Sequence, residues 1–134
     1  MDLTGKKVLV VGSGISGVAA AELLKKKGNE ILLVDGNKEL DVEALKKKAL
    51  VFSDVEIILG ELKDEDLEKV DLAVFSPGVP TDIPMAEQIR EKNIPIWGEI
   101  ELAYYFAKGP VAAITGTNGK TTTTALTGEI MANY

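Results

Sequence analysis

Short runs of consecutive apolar residues alternate with amphipathic stretches along the whole chain. Val8-Leu9-Val10-Val11 has no polar interruption, which predicts a strand buried on both faces rather than one. The stretch Ile15 to Lys27 places apolar residues at Val18, Ala21, Leu23 and Leu24 and closes on Lys25-Lys26-Lys27, so it reads as a helix with its cations at the favourable end. Gly28 supplies the stop. Ile31-Leu32-Leu33-Val34 predicts a second strand, Glu39 to Lys48 a helix, and Val55 to Leu59 a third strand closed by Gly60. Asp64 to Lys69 is a short helix at best, and Leu72-Ala73-Val74-Phe75 is a fourth strand. A turn at Ser76-Pro77-Gly78-Val79-Pro80 leads to a helix near Met85 to Lys92. Ile94-Pro95-Ile96-Trp97 follows as a short fifth strand, with Pro95 arguing for the edge of the sheet. Glu99 to Ala107 is helical, and Lys108-Gly109-Pro110 is the clearest break in the chain. Beyond it the pattern predicts a strand at Val111 to Thr115 and a helix from Lys120 to Ala132. The expected fold is α/β: a Rossmann-like, doubly wound parallel sheet of about five strands, followed by a further strand, loop and helix.

Two glycine-rich loops sit at strand-to-helix junctions. Gly12-Ser13-Gly14-Ile15-Ser16-Gly17 follows the first strand and opens a helix, the context in which glycines let backbone N–H groups approach a pyrophosphate. Asp35, at the end of the second strand and 23 positions after Gly12, stands where a ribose hydroxyl is met. Taken alone, this half of the chain predicts a nicotinamide or flavin dinucleotide, another phosphorylated ligand, or tight strand–helix packing only. Gly116-Thr117-Asn118-Gly119-Lys120-Thr121 is the second loop and ends in the Gly-Lys-Thr of a P-loop. There Lys120 reaches terminal phosphates and the Thr121 hydroxyl ligates Mg²⁺. The usual spacing demands a glycine at position 114; Ile114 stands there, so the loop is a shortened variant beginning at Gly116.

Composition narrows the chemistry. The 134 residues contain neither histidine nor cysteine, which removes the usual general base and any thiolate metal site. A cysteine-free chain fits a reducing cytoplasm. The net charge of −6 argues against a nucleic-acid partner, while a few amides and one lysine still make a local anion site. No apolar run has the roughly 18 residues of a membrane span, and the start of the chain does not read as a secretory signal.

Two such loops in one chain do not fit a simple dehydrogenase. Gly-Thr-Asn-Gly-Lys-Thr-Thr at positions 116–122 resembles the signature of the Mur ligase family and its folylpolyglutamate synthase relatives. The order of Gly12 to Gly17, then Ser76-Pro77-Gly78-Val79-Pro80, then Gly98-Glu99-Ile100-Glu101-Leu102 is similar to the branch whose substrates are UDP-N-acetylmuramoyl-L-alanine and D-glutamate. The resemblance spans essentially the whole chain. It implies that residues 1–108 form a UDP-substrate-binding domain of Rossmann-like fold, with contacts from Gly14, Ile15, Ser16, Asp35, Asn37, Ser76, Pro77 and Gly78. It implies that 109–134 begin a central ATP-binding domain in which Gly116, Thr117, Asn118, Gly119, Lys120, Thr121 and Thr122 hold ATP, Lys120 is catalytic, and Thr121 carries Mg²⁺. The reaction implied is ATP-driven amide formation through an acyl phosphate, in the cytoplasm, by a monomeric full-length protein. One departure is that the family often has a basic residue just after the acidic one, whereas this chain reads Asp35-Gly36-Asn37. The chain ends one helix past the P-loop, so the expectation for this polypeptide alone is no ligase turnover. An oxidoreductase or nucleotide-sensing domain using the first loop, and a family member of different amino-acid specificity, are the competing readings.

Overall fold

The computed structural model describes residues 2–48 and 53–134. Five parallel strands, β1 (Lys7–Val11), β2 (Glu30–Asp35), β3 (Glu56–Leu59), β4 (Leu72–Phe75) and β5 (Ile96–Gly98), lie in the order β3-β2-β1-β4-β5. The helices are α1 (Ile15–Lys26), α2 (Val42–Lys48), α3 (Pro84–Glu91), α4 (Glu99–Phe106) and α5 (Lys120–Ala132). The sheet reverses its strand order beside β1, so the crevice between the C-terminal ends of β1 and β4 is where an open α/β sheet binds ligands.

The unbroken apolar runs are explained by burial on both faces. Alternate residues of each strand point to opposite sides. Val8, Val10, Ile31, Leu33, Leu72 and Val74 form one core with Ala21 and Leu24 of α1 and Leu102 of α4. Leu9, Val11, Leu32, Val34, Ala73 and Phe75 form the other with Ala86 and Ile89 of α3. Each fully buried Leu, Ile or Val contributes on the order of 1.5–3 kcal/mol, so the two cores define the unit. The N-terminal end of the sheet is closed by polar bonds. Asp71 accepts from the Lys7 amide and the Lys6 ammonium, both at 3.0 Å, and joins the β1 and β4 ends. Buried Asn29 accepts from the Lys6 amide and donates to the Leu24 carbonyl, joining β1 to the end of α1.

Local differences from the sequence pattern have local causes. Helix α2 begins at Val42 rather than Glu39, because Asp41 Oδ1 accepts the Glu43 and Ala44 amides and caps the helix. The segment 64–69 is a series of turns, with Lys69 in the left-handed region at φ 65°. Strand β5 lies at the sheet edge, as expected, and Pro95 immediately precedes its first residue with its carbonyl facing β4.

The predicted strand at Val111–Thr115 is corrected: those residues have no strand structure. An apolar run becomes a strand only when a neighbour takes its N–H and C=O groups, and this one pairs with neither β3 nor β5, the two strands with open edges. Among the described residues none from 107 to 134 is buried, and α5 buries no side chain. Its amides are expected to exchange near the rate of an isolated, fraying helix while β1, β2 and β4 are strongly protected. Hydrogen-exchange mass spectrometry checks this; protection of 110–134 equal to that of the sheet contradicts it.

Candidate functional site

The loop after β1 is shaped by a close approach. A Cβ built on Gly17 lies 1.8 Å from the Gly12 carbonyl oxygen, so α1 can settle onto the end of β1 only with glycine there. Gly12 has φ +99°, and a Cβ on it meets Ser76 and Val79 at about 3.0 Å. Loop and strand end are thus pressed against the Ser76 segment, whose own turn is closed by the Val79 amide donating to the Ser76 carbonyl at 2.9 Å. The Ser76 amide donates to the Val11 carbonyl at 3.0 Å and its hydroxyl to the Gly12 carbonyl at 3.4 Å.

Asp35 joins the β2 end to the same loop. Its Oδ2 accepts from the Ser13 amide at 2.8 Å and the Ser13 hydroxyl at 2.6 Å, and its Oδ1 accepts the Asn37 amide at 3.0 Å. Burial pushes the Asp35 carboxyl up. The Ser13 hydroxyl and the Asn37 and Ser13 amides outweigh it and hold the carboxyl below its ordinary value.

These contacts make one cleft of about 390 Å³ lined by Gly14, Ile15, Ser16, Asp35, Ser76, Pro77 and Gly78. Seven of the eight residues expected from sequence therefore meet at one place. Asn37 does not line it; its amide holds the Asp35 carboxylate from outside. Gly12, Ser13 and Val79 line the cleft without having been singled out as contacts. The signal for Ser13 was its place between the loop glycines; nothing in the sequence paired it with Asp35. Helix α1 has no acidic residue in its first turn and Gly14 at its N-cap supplies no side-chain oxygen, so its N–H groups and positive end face the cleft uncompensated. Ile15, 93% exposed, adds apolar surface to the rim.

The second loop is separately built and open. Gly116 and Gly119 take φ +151° and +81°, conformations that favour glycine, and Gly119 starts α5. The Lys120 ammonium folds back across the loop onto the Gly116 carbonyl at 2.6 Å and the Thr117 carbonyl at 3.4 Å. A lysine at a helix N-terminus with no acidic residue in that turn opposes the helix dipole, a placement that an anion would relieve. Part of the threonine run is structural: Thr124 and Thr127 donate to the carbonyls of Lys120 and Thr123, each at 2.8 Å. The Thr121 and Thr122 hydroxyls have no side-chain partner among the described residues and remain available. This donor set of loop amides, one ammonium and a free hydroxyl fits a polyphosphate. No group of three or more acidic side chains that could hold a metal occurs among the described residues.

The Asp35–Ser13 pairing has a pH signature. A depressed carboxyl stabilises the fold fully above its unfolded value of about 3.8, and the stabilisation is lost as pH falls through the lower folded value. Asp35→Asn is expected to cost about 1 kcal/mol at pH 7, the low end for a hydrogen-bonded charge that is partly exposed. The difference from the parent chain should shrink when the pH is taken from 7 to well below 3.8. Urea midpoints at the two pH values check it; an equal difference at both contradicts it.

Comparison with known proteins shows the family of the chain. The chain is 53% identical, over all 134 residues, to the UDP-N-acetylmuramoylalanine--D-glutamate ligase of Lachnospira eligens and 52% identical to that of Lachnoclostridium phytofermentans. It spans 30% of the length of each of these curated relatives. Among solved structures, a pseudomurein peptide ligase type C from Methanothermus fervidus superposes with TM-score 0.62 at 29% identity, covering 89% of this chain and 24% of that one. SirC, a precorrin-2 dehydrogenase, superposes at TM-score 0.54 and 19% identity over the whole of this chain and 69% of its own, a likeness of fold alone. Residues 6–98 match the family described as Mur ligase MurD-like, N-terminal domain, and the chain belongs to that family.

Proposed function

We propose that the cleft binds the UDP end of UDP-N-acetylmuramoyl-L-alanine, and that the chain is the N-terminal part of an ATP-dependent ligase adding D-glutamate to that substrate through an acyl phosphate. The observation that carries the reading is the convergence of the β1, β2 and β4 loop ends on one cleft at the switch point of the sheet. The helix α1 N-terminus and the Gly14 to Ser16 amides would take the diphosphate. Ile15 offers apolar surface for the base. Asp35 orients the loop and has spare capacity for a single donor: Oδ2 already accepts two bonds and Oδ1 one. A ribose diol held by two bonds, as in a nicotinamide dinucleotide site, would have to displace Ser13 or Asn37. The dehydrogenase-like fold therefore does not by itself favour that rival.

At the second loop, Gly116 to Thr122 would cradle the ATP phosphates. Lys120 would leave the Gly116 and Thr117 carbonyls to stabilise charge on the phosphoryl group in transfer, and Thr121 would supply a hydroxyl to Mg²⁺. ATP with Mg²⁺ supplies the activating phosphoryl group. The same reading puts residues 1–108 in a substrate-binding domain, 109–134 in an ATP-binding one, and the protein in the cytoplasm in peptidoglycan precursor synthesis. No described helix is long and apolar enough to cross a membrane.

Two outcomes follow. UDP should change the emission of Trp97, the chain's single tryptophan, saturably, and NADH should not; an NADH response without a UDP response overturns the reading. With UDP-N-acetylmuramoyl-L-alanine, D-glutamate and Mg-ATP, the 134-residue chain should release no ADP, because its P-loop is exposed and no acidic metal site accompanies it among the described residues. Turnover in a coupled assay contradicts this.

A further inference from the structure

Five asparagines occur in the chain, and only Asn118 is followed by glycine. The side-chain carbonyl carbon of an asparagine is an electrophile toward the peptide nitrogen that follows it, and a glycine there has no Cβ to obstruct the approach. The other four are held out of that reaction. Buried Asn29 donates to the Leu24 carbonyl at 2.9 Å, and Asn37 Oδ1 accepts the Glu39 amide at 3.0 Å. The nitrogen after Asn93 is taken by the Ile89 carbonyl at 3.2 Å, and Asn133 donates to the Glu129 carbonyl at 2.7 Å. Asp35-Gly36 has the same spacing, but its carboxylate is ionised, a poor electrophile, and occupied by Ser13 and Asn37.

Asn118 has none of these restraints. Its side chain is exposed and makes no hydrogen bond among the described residues, and the Gly119 amide donates none either. No described residue from 107 to 134 is buried, so little opposes the turn that brings this nitrogen to the side chain. Two fields favour the nitrogen once it has lost its proton. Gly119 is the N-cap of α5, whose first turn has no acid, so the positive end of the helix dipole is uncompensated there. Lys120, the only charged residue between Lys108 and Glu129, sets its ammonium over the same loop.

We propose that Asn118 is a modification site, where the open loop deamidates itself and so places a new carboxylate in its own anion site. Hydroxide removes the Gly119 N–H proton, and that nitrogen attacks Asn118 Cγ. The N–Cγ bond forms, the Cγ–Nδ2 bond breaks, and ammonia leaves with a proton taken from water. Water then opens the cyclic imide. Attack at Cγ leaves aspartate at 118; attack at the main-chain carbonyl leaves an isoaspartyl link that runs the backbone through the side chain. One water is consumed and one ammonia released, with no change of oxidation state. Either product makes the net charge of −6 one unit more negative, and the isoaspartyl link lengthens the loop by one carbon.

The consequence for nucleotides rests on the reading of the loop as a phosphate site. A carboxylate there repels the phosphates, and a phosphate already bound to the Gly119 N–H blocks the nucleophile. Peptide mapping by electron-transfer mass spectrometry, after incubation with and without Mg-ATP, tests both. Replacement of NH₂ by OH should appear at Asn118 alone, as aspartyl and isoaspartyl forms, and about 10-fold faster at pH 8 than at pH 7 because the nitrogen must first lose a proton. Asn118→Gln, whose imide ring is one atom larger, should abolish it, and Gly119→Ala should slow it about 10-fold through the added Cβ. Comparable conversion at Asn37, Asn93 or Asn133 overturns the proposal, as does parent-rate conversion in Gly119→Ala. So does an intact Asn118 after a free Gly-Thr-Asn-Gly-Lys-Thr peptide has fully converted. Mg-ATP should slow conversion several-fold; a rate it leaves unchanged upholds the modification site and overturns the phosphate reading.

Discussion

Helix α1 can lie on the end of β1 because position 17 has no side chain. With any Cβ there, 1.8 Å from the Gly12 carbonyl, the helix must move away or the loop must open. The cleft depends on that contact. It bends the chain sharply at Gly12, aims the first-turn amides of α1 outward over the sheet, and brings Ser13 within reach of Asp35. Ser76 then packs against the same bend. Three loops from three strands share one short stretch of backbone, so the site is preorganised by packing rather than by a network of its own.

The two ends of the sheet are treated differently. At the N-terminal end Asp71 and Asn29 turn their hydrogen bonds inward, onto β1, α1 and the start of β4. Lys6 beside Asp71, with the Lys7 amide, holds that carboxyl below its ordinary value against slight burial. At the C-terminal end the strands finish in glycines and serines, and α1 starts without a side-chain cap or an acid in its first turn. Donors left unsatisfied there are the ones a bound anion would use. The remaining ion pairs, such as Lys38–Glu61 and Lys63–Glu65, are exposed and contribute little to stability.

The second loop shows how far a local motif can be read without its surroundings. Gly116 and Gly119 take positive φ, and Lys120 crosses the loop onto the Gly116 carbonyl. The helix it opens has apolar side chains at Leu126, Ile130 and Met131, all more than half exposed. Such side chains have an intrinsic preference for burial that nothing in the described residues meets, in contrast with Leu24 or Leu102, which are apolar by the same measure and fully enclosed.

The sequence alone determined the parallel α/β class, because only strands covered on both faces carry runs like Val8 to Val11 and Leu72 to Phe75. It also determined the location of both glycine loops, since glycine acts through backbone sterics that no neighbour can change. Tertiary structure decided the rest. Sequence could place Asp35 at the end of the second strand but not reveal that its carboxylate is already occupied by Ser13, a contact between strands adjacent only in the sheet. It could not choose between strand and coil for Val111 to Thr115, because a strand exists only through a partner.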